Sequence, residues 1–424
     1  MKHAEANGST AIHFRGNAYR ASKQFWHGTQ RTVSPGETLE RIRPHFKTAG
    51  LTRLANITGL DRIGIPTTLA IRPNSPTITT SAGKGFTLDA AMVSGAMEAI
   101  EIYHAENVRL PSFRLPYEQL DGDYQVIPVE NLPLAKNSLF HVGWPYNWVL
   151  GWDIANQNEV AVPTVISDLV LRTRKSRLWE LASFQVDSNG LASGNEFLEA
   201  VAAGLFEVIE RDAATCYSVA ERVCRLHSPV VRLDTIEHPM ILELLDRCTA
   251  ADIESVIFDC TVDTDVPVYR AYIYERSARH NLGIFKGYGA HLDPEIAMVR
   301  ALTEAIQSRL VFIAGSRDDV FRHTASRLKV GDSEEAIRMI EAMPPTVDAR
   351  VRASQATSTF EEDISRTLEK LERAGLDQVI VFDLTQPGFP VHAVKIIVPG
   401  LEGYKSAYYT PGHRAEAFCR EKQL

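Results

Sequence analysis

Three stretches of this chain carry acids at positions where a core helix carries hydrocarbon. Ala91 to Glu101 presents Ser94, Glu98 and Glu101, and Ala297 to Gln307 repeats the pattern with Arg300 and Glu304. Ala200 to Glu210 is a looser copy, with Glu207 and Glu210. An α-helix turns about 100° per residue, so positions i, i+4 and i+7 share a face. Ser94, Glu98 and Glu101 therefore form one stripe on a helix that is otherwise almost wholly apolar, and a helix apolar all round is normally buried. Buried carboxylates are costly unless they are paired or hold a metal. Several acids converging from three helices would hold hard divalent cations beside a polyphosphate, so the pattern points to a nucleotide–Mg²⁺ site.

The second copy is the richest. Asn195, at a predicted N-cap, shares a sector of the helix with Glu199, Glu207 and Glu210, and Arg211 follows directly. A solvated surface face would also be polar, but here the opposite flank (Val201, Leu205, Val208) is apolar rather than charged. Arg300 and Glu304 alone could be a local i, i+4 ion pair worth a few tenths of a kcal/mol. Their register match to the other copies favours a shared site. Glycine-rich turns are read ahead of all three helices: Ser81 to Gly85, Asn189 to Gly194 and Gly287 to Gly289. Such glycines can let backbone N–H groups approach phosphate oxygens, although none of the three is a P-loop or a G-x-G-x-x-G fingerprint.

The elements that position these residues alternate strand, turn and helix. Ser34 to Gly36 turns into a helix expected over Thr38 to Phe46, and Thr67 to Arg72 and Val160 to Leu171 read as strands. Residues 108–150 read as loops and short strands, and the Trp144 to Trp148 aromatic cluster as packing rather than a substrate platform. The second acidic helix runs on toward Val223, and the third starts at Asp293 as N-cap with Pro294 in the first turn. Ile253 to Asp259, Pro267 to Tyr274, Gln378 to Leu384 and His392 to Val398 are further strands, and residues 325–375 are charged and helical. The fold expected is α/β with a mixed sheet, α+β-like in its hairpin strand pairs, built on repeated strand–glycine turn–acidic helix units. Residues 1–50 are read as an N-terminal segment, irregular and then weakly helical. Residues 51–424 form one composite domain with its motifs at 81–107, 188–215 and 287–309.

Composition bounds the rest. A chain of 424 residues with a formal charge of −8 and no dense Lys/Arg tract is not read as a nucleic-acid binder. The N-terminus lacks the apolar run of a signal peptide, and no stretch of about 18 apolar residues could span a bilayer. The five cysteines contain no C-x-x-C pair, so neither a zinc site nor a disulfide framework is read, and a cytoplasmic protein is expected. Cys216 is read as packing, and His104 and His291 as structural.

These residues resemble the YcaO superfamily of ATP-dependent peptide-backbone modifying enzymes. The family's S-x-x-x-E-x-x-E is matched by Ser94, Glu98 and Glu101. Its N-x-x-x-E followed by E-x-x-E-R is matched by Asn195, Glu199, Glu207, Glu210 and Arg211, and its R-x-x-x-E by Arg300 and Glu304. Arg31 and Thr38 stand at the positions of its N-terminal nucleotide-contacting stretch, which implies that segment 1–50 contributes to the nucleotide site. The resemblance implies ATP and Mg²⁺ as cofactors, with Glu98, Glu101, Glu207, Glu210 and Glu304 as metal ligands. It implies phosphate contacts from Ser94, Asn195, Arg211 and Arg300, and a ribose contact from Glu199.

The chemistry so implied is phosphorylation of a peptide backbone amide oxygen, leading to a thioamide or an azoline. Azoline-forming members typically end in a P-x-P-x-P tail, whereas this chain ends Phe418 to Leu424, and its text is most similar to the branch associated with TfuA-like partner proteins. The implied partners are a peptide or protein substrate, a TfuA-like protein, a separate leader-peptide-binding protein and a second copy of the chain as a homodimer. A non-catalytic nucleotide-binding accessory protein of a sulfur-transfer or ribosome-modification pathway is the alternative. A plain metal-carboxylate hydrolase is disfavoured because no histidines stand at metal-ligand spacing.

Overall fold

The computed structural model describes residues 11–120, 122–167, 178–275, 282–316, 330–403 and 410–423. The repeated unit is present three times. Strand Thr80–Lys84 feeds helix Leu88–Asn107, Leu191–Gly194 feeds Phe197–Val223, and Phe285–Ala290 feeds Pro294–Ala314. Each of these strands is the terminal strand of a different sheet, three-, seven- and five-stranded respectively. Each helix can then fold back over its own sheet while turning one flank toward the other two helices.

The sheets are mixed, as the hairpin-like strand pairs implied. Neighbours run antiparallel except at Gln125–Val126 with Asn158–Pro163 and at Val230–Arg232 with Pro345–Asp348. The longest acidic helix packs Val201, Leu205 and Val208 onto Val394 and Ile396 of the seven-stranded sheet, in one large apolar cluster. The third packs Ala301, Leu302 and Ile306 with Ile257, Ala271 and Ile273 of the five-stranded sheet. Ala96 and Ile100 of the first meet Ile42 from the N-terminal helix Pro35–Ile42. Apolar burial on this scale, at about 25 cal/mol per Å², is what fixes three acid-bearing faces around one cleft.

Three of the glycines read ahead of the acidic helices make close strand–helix contacts. The segments Ser81–Gly85 and Gly287–Gly289 lie largely within strands, and Gly83, Gly287 and Gly289 press against the helix that follows. A Cβ on Gly83 would stand 2.0 Å from the Ala91 carbonyl oxygen and 2.2 Å from the Gly95 nitrogen. One on Gly287 would stand 2.3 Å from the Ala301 carbonyl oxygen. Both neighbours are backbone and cannot step aside. We therefore expect Gly83→Ala to cost about 3 kcal/mol or more, at or beyond the upper end of ordinary overpacking. Urea unfolding checks this, and an unchanged midpoint would contradict the close strand–helix approach.

Other expectations shift at their edges. The first helix begins at Pro35, capped by Ser34, and its α-helical part stops at Ile42 because Pro44 follows; a 3-10 turn takes Arg43–His45. The strand expected from Val160 to Leu171 runs Asn158–Pro163 instead, Pro163 ending it and Thr164–Ser167 turning helical; residues 168–171 lie outside the described residues. Between helices Val330–Glu341 and Phe360–Arg373 a strand, Pro345–Asp348, interrupts the region read as purely helical. Residues 325–329 lie outside the described residues. In the aromatic cluster Tyr146 and Trp148 are fully buried and Trp144 is exposed, so packing accounts for two of the three rings. No helix among the described residues is long and apolar enough to cross a membrane.

Candidate active site

One cavity of about 760 Å³ lies between the three acidic helices and the N-terminal segment. Every residue singled out by spacing or resemblance lines it: Arg31, Thr38, Ser94, Glu98, Glu101, Asn195, Glu199, Glu207, Glu210, Arg211, Arg300 and Glu304. They come from positions as far apart as 31 and 304, so their meeting is a property of the fold and not of local sequence.

The second helix supplies the floor. Its cap position is taken by Glu196, which makes no side-chain capping bond, so Asn195 is not the N-cap. The helix begins one residue later than the motif suggests, which frees the Asn195 amide. Its Oδ1 accepts from the Thr38 hydroxyl at 2.9 Å and its Nδ2 donates to Glu199 Oε1 at 3.2 Å. Glu199 is 2% exposed and accepts from the Thr32 backbone N–H at 3.0 Å and the Thr32 hydroxyl at 2.8 Å, with Arg31 Nε 3.8 Å away. These bonds tie residues 31–38 to the second helix and compensate the burial of its first acid. A solvated polar face is thereby excluded, since Glu199 and Glu210 are both buried.

Deeper in, carboxylates crowd. Burial pushes Glu101 well above the usual carboxylate range, reinforced by Glu207 and Glu98, while the Ser193 hydroxyl donating to it at 3.1 Å opposes the rise. Burial raises Glu207 too, against Arg211, Lys395 and Arg300, which favour its ionised form. Glu210 is pushed up to about 7 by burial and then by Glu304. Its Oε2 is buried without a hydrogen-bond partner among the described residues, and Arg300 Nη2 is 4.0 Å from it. Arg300 thus reaches across to the neighbouring helix, while Glu304 faces Lys84 Nζ at 3.7 Å. A local Arg300–Glu304 pair is not the geometry adopted.

A cluster of buried, mutually repelling acids with an orphaned oxygen is short of positive charge, and divalent cations fit that deficit. Among the described residues no three His, Cys, Asp or Glu side chains converge closely enough to cage an ion by themselves. Mg²⁺ bound with a nucleotide uses one or two carboxylates, with phosphate oxygens and water completing its octahedron, so acids spread along a cleft suit it. The same cleft is also lined by aromatic and apolar groups, Phe25, His27, Phe86, Val311 and Phe312, with the His27 and Phe86 rings edge to face at 6.0 Å. One cleft therefore offers both apolar and aromatic groups and charged ones.

Several lining groups carry little or no signal in the sequence. Lys84 reads there only as part of a glycine turn, yet its Nζ donates to Gln307 at 3.1 Å and faces Glu304. A lysine between two glycines just ahead of an acidic helix was the available signal. Ser193, which lines the cleft, and Thr32, which bonds Glu199 behind it, offered none. His104 and His291 make structural contacts: His104 Nδ1 accepts from the Gln386 N–H at 2.8 Å, and His291 Nδ1 from the Asp293 N–H at 2.9 Å. Cys216 is buried and lies outside this cleft, its thiol pushed up by burial.

A family model described as YcaO cyclodehydratase, ATP- and Mg²⁺-binding, matches residues 82–402, a span holding all three acidic helices. The chain belongs to the YcaO family. ATP and Mg²⁺ are the family's nucleotide and metal. An uncharacterised protein from the tfuA 3′ region of Rhizobium leguminosarum bv. trifolii is 33% identical over 391 residues, 89% of this chain and 90% of that protein, and points to the TfuA-associated branch. In three dimensions the fold matches YcaO from Methanopyrus kandleri bound with AMPPCP and Mg²⁺, with TM-score 0.70 and 24% identity over 92% of this chain and all of that one. A heterocyclase in complex with substrate and cofactor gives TM-score 0.77 at 21% identity over 96% of this chain. This chain spans 56% of that heterocyclase, so the likeness there is one of fold.

Proposed function

We propose that this YcaO chain activates a backbone amide of a peptide by transferring the terminal phosphoryl group of ATP to the amide oxygen, leading to a thioamide. The observation that carries the reading is the single cleft in which all the motif side chains meet. Its apolar and aromatic groups take the base, Glu199 the ribose, and Ser94, Asn195, Arg31, Arg211 and Arg300 the phosphates, with Thr38 holding Asn195 in place. Glu98, Glu101, Glu207, Glu210 and Glu304 would hold Mg²⁺, which would supply charge neutralisation at the phosphate oxygens. Phosphoryl transfer needs little covalent help from a protein, and positioning and electrostatics supply most of the acceleration.

The balance of the reaction is simple. A sulfur nucleophile adds to the amide carbon, the former carbonyl oxygen bonds to phosphorus, and the bond from that phosphorus to the ADP oxygen breaks. Loss of phosphate and a proton then leaves C=S, so one ATP and one hydrogen sulfide give ADP and phosphate per thioamide. A neighbouring cysteine, serine or threonine side chain adding instead gives an azoline, because phosphate and the amide N–H proton are then lost to leave C=N within the ring. The tfuA-region relative favours the thioamide product with a TfuA-like partner.

ADP release measured with the precursor peptide and the tfuA-type partner tests the reading. Release dependent on peptide and Mg²⁺ supports it. Tight nucleotide binding with no peptide-dependent release would overturn it in favour of an accessory protein that retains the site without the chemistry.

A further inference from the structure

Behind the acid cluster, on the side away from the cleft, a lysine is buried that the motifs do not include. Lys395 sits within strand His392–Ile397 directly opposite Leu191, on the face it shares with Ala393 and Ile397. That face is otherwise apolar core. The Lys395 side chain is 4% exposed. An ammonium in such a place needs a compensating partner, because burial alone lowers its proton affinity. Its Nζ donates to the Asp187 carbonyl oxygen at 2.9 Å, and the Asp187 carboxylate is 3.9 Å away. Glu207 and Glu101 are the other anions whose fields reach it.

The placement separates Lys395 from the other cations near the acids. Arg31, Lys84, Arg211 and Arg300 line the cleft and face whatever occupies it. Lys395 does not; it lines a different cavity, together with Asp187 and Asn189. The wall between the two is the Asp187–Gly190 turn, in which Ser188 faces the cleft and Gly190 packs against the helix beside Glu207, where a Cβ would stand 2.8 Å from Val208 Cγ1. A phosphate entering the cleft can draw the arginines toward itself, but it cannot draw Lys395.

We propose that Lys395 is a positioning residue for the metal end of the cleft: by anchoring the Asp187–Gly190 turn and standing as a fixed cation behind Glu207 and Glu101, it aims those carboxylates at Mg²⁺. The inference rests on the nucleotide–Mg²⁺ reading of the cleft. It makes a prediction opposite in sign to simple charge repulsion. A lysine that merely shares the neighbourhood repels Mg²⁺, so removing it would tighten metal binding. A lysine that orients the ligands is missed when it is gone, and outer-sphere partners of metal ligands are typically worth about 10- to 100-fold in metal affinity.

The test is calorimetric titration of Mg²⁺ into the full chain saturated with a non-hydrolysable ATP analogue. Lys395→Met is expected to weaken Mg²⁺ by about 10-fold or more, with little change in metal-free analogue affinity. Lys395→Gln keeps an N–H donor for the Asp187 carbonyl without the charge; it is expected to show the same loss, and serves if the methionine variant does not fold. In a Glu207→Gln background the additional loss from Lys395→Gln should largely vanish, since residues acting through one another are not additive. Unchanged or tighter Mg²⁺ binding in either folded variant, or full additivity with Glu207→Gln, overturns the proposal. Failure of the parent protein to bind Mg²⁺ with the analogue would instead sink the reading of the cleft itself.

Discussion

Arg211→Lys is expected to lower peptide-dependent ADP release by well over tenfold, more than ~1.4 kcal/mol of transition-state stabilisation, while the melting temperature moves by no more than about 2 °C. Arg211 follows Glu210 in sequence but points about 100° further round the helix, so the two do not face one another. Both line the cleft, and the Arg211 charge favours the ionised forms of Glu207 and Glu210. Lysine keeps that charge but loses the planar fork that meets two phosphate oxygens at once. Steady-state kinetics and a thermal melt on the same preparation decide the matter. A variant that unfolds early yet retains full specific activity in its folded fraction would make Arg211 a structural ion-pair member.

Glu210→Gln should separate stability from function in the opposite direction. Loss of a metal ligand is expected to weaken Mg²⁺-dependent nucleotide binding by about 100-fold or more, beyond the range typical of outer-sphere partners. The ligand-free protein, however, should become more stable. In the folded chain Glu210 holds its proton up to about pH 7, while an unfolded glutamate releases it near 4.5. Between those values the folded state binds more protons, so the stability contributed by this group falls as pH rises from about 4.5 to about 7. Above pH 7 the ionised, buried carboxylate is a standing cost that glutamine does not carry. A gain of about 1–3 kcal/mol at pH 8 is expected, since a tenfold change in proton affinity corresponds to about 1.4 kcal/mol. The gain should shrink toward pH 5, where wild-type Glu210 is itself neutral. Chemical denaturation of both proteins at the two pH values checks this, and a variant less stable than wild type at pH 8 would contradict the crowding of the acids. Sites that hold charge for a ligand commonly carry such a cost.

Much of this site was legible because helical periodicity is a local rule. Ser94, Glu98 and Glu101 share a stripe whatever the rest of the chain does, and Asp293 caps its helix through bonds to the Glu295 and Ile296 N–H groups, as its type and place imply. What periodicity could not supply was anything set by contacts distant in sequence. Asn195 looks like a cap by type, but its partners are Thr38, 157 residues away, and Glu199. The glycines ahead of the helices resemble phosphate turns because a turn and a close strand–helix contact demand the same residue. Only the distance from Gly83 to the Ala91 carbonyl distinguishes the two. Lys395 carries no motif at all: a lysine within a β-strand reads as an edge or surface residue until the strand is seen between two others, Leu191–Gly194 and Ile380–Asp383.

Calorimetric titration with a non-hydrolysable ATP analogue, in the presence and absence of Mg²⁺, decides whether acids from three helices and the cations beside them hold one Mg²⁺–nucleotide complex. The expected result is saturable, Mg²⁺-dependent binding at one site per chain, abolished by Glu98→Gln on the first helix and by Glu210→Gln on the second. Absence of binding, or binding indifferent both to Mg²⁺ and to these two substitutions in folded protein, would contradict it.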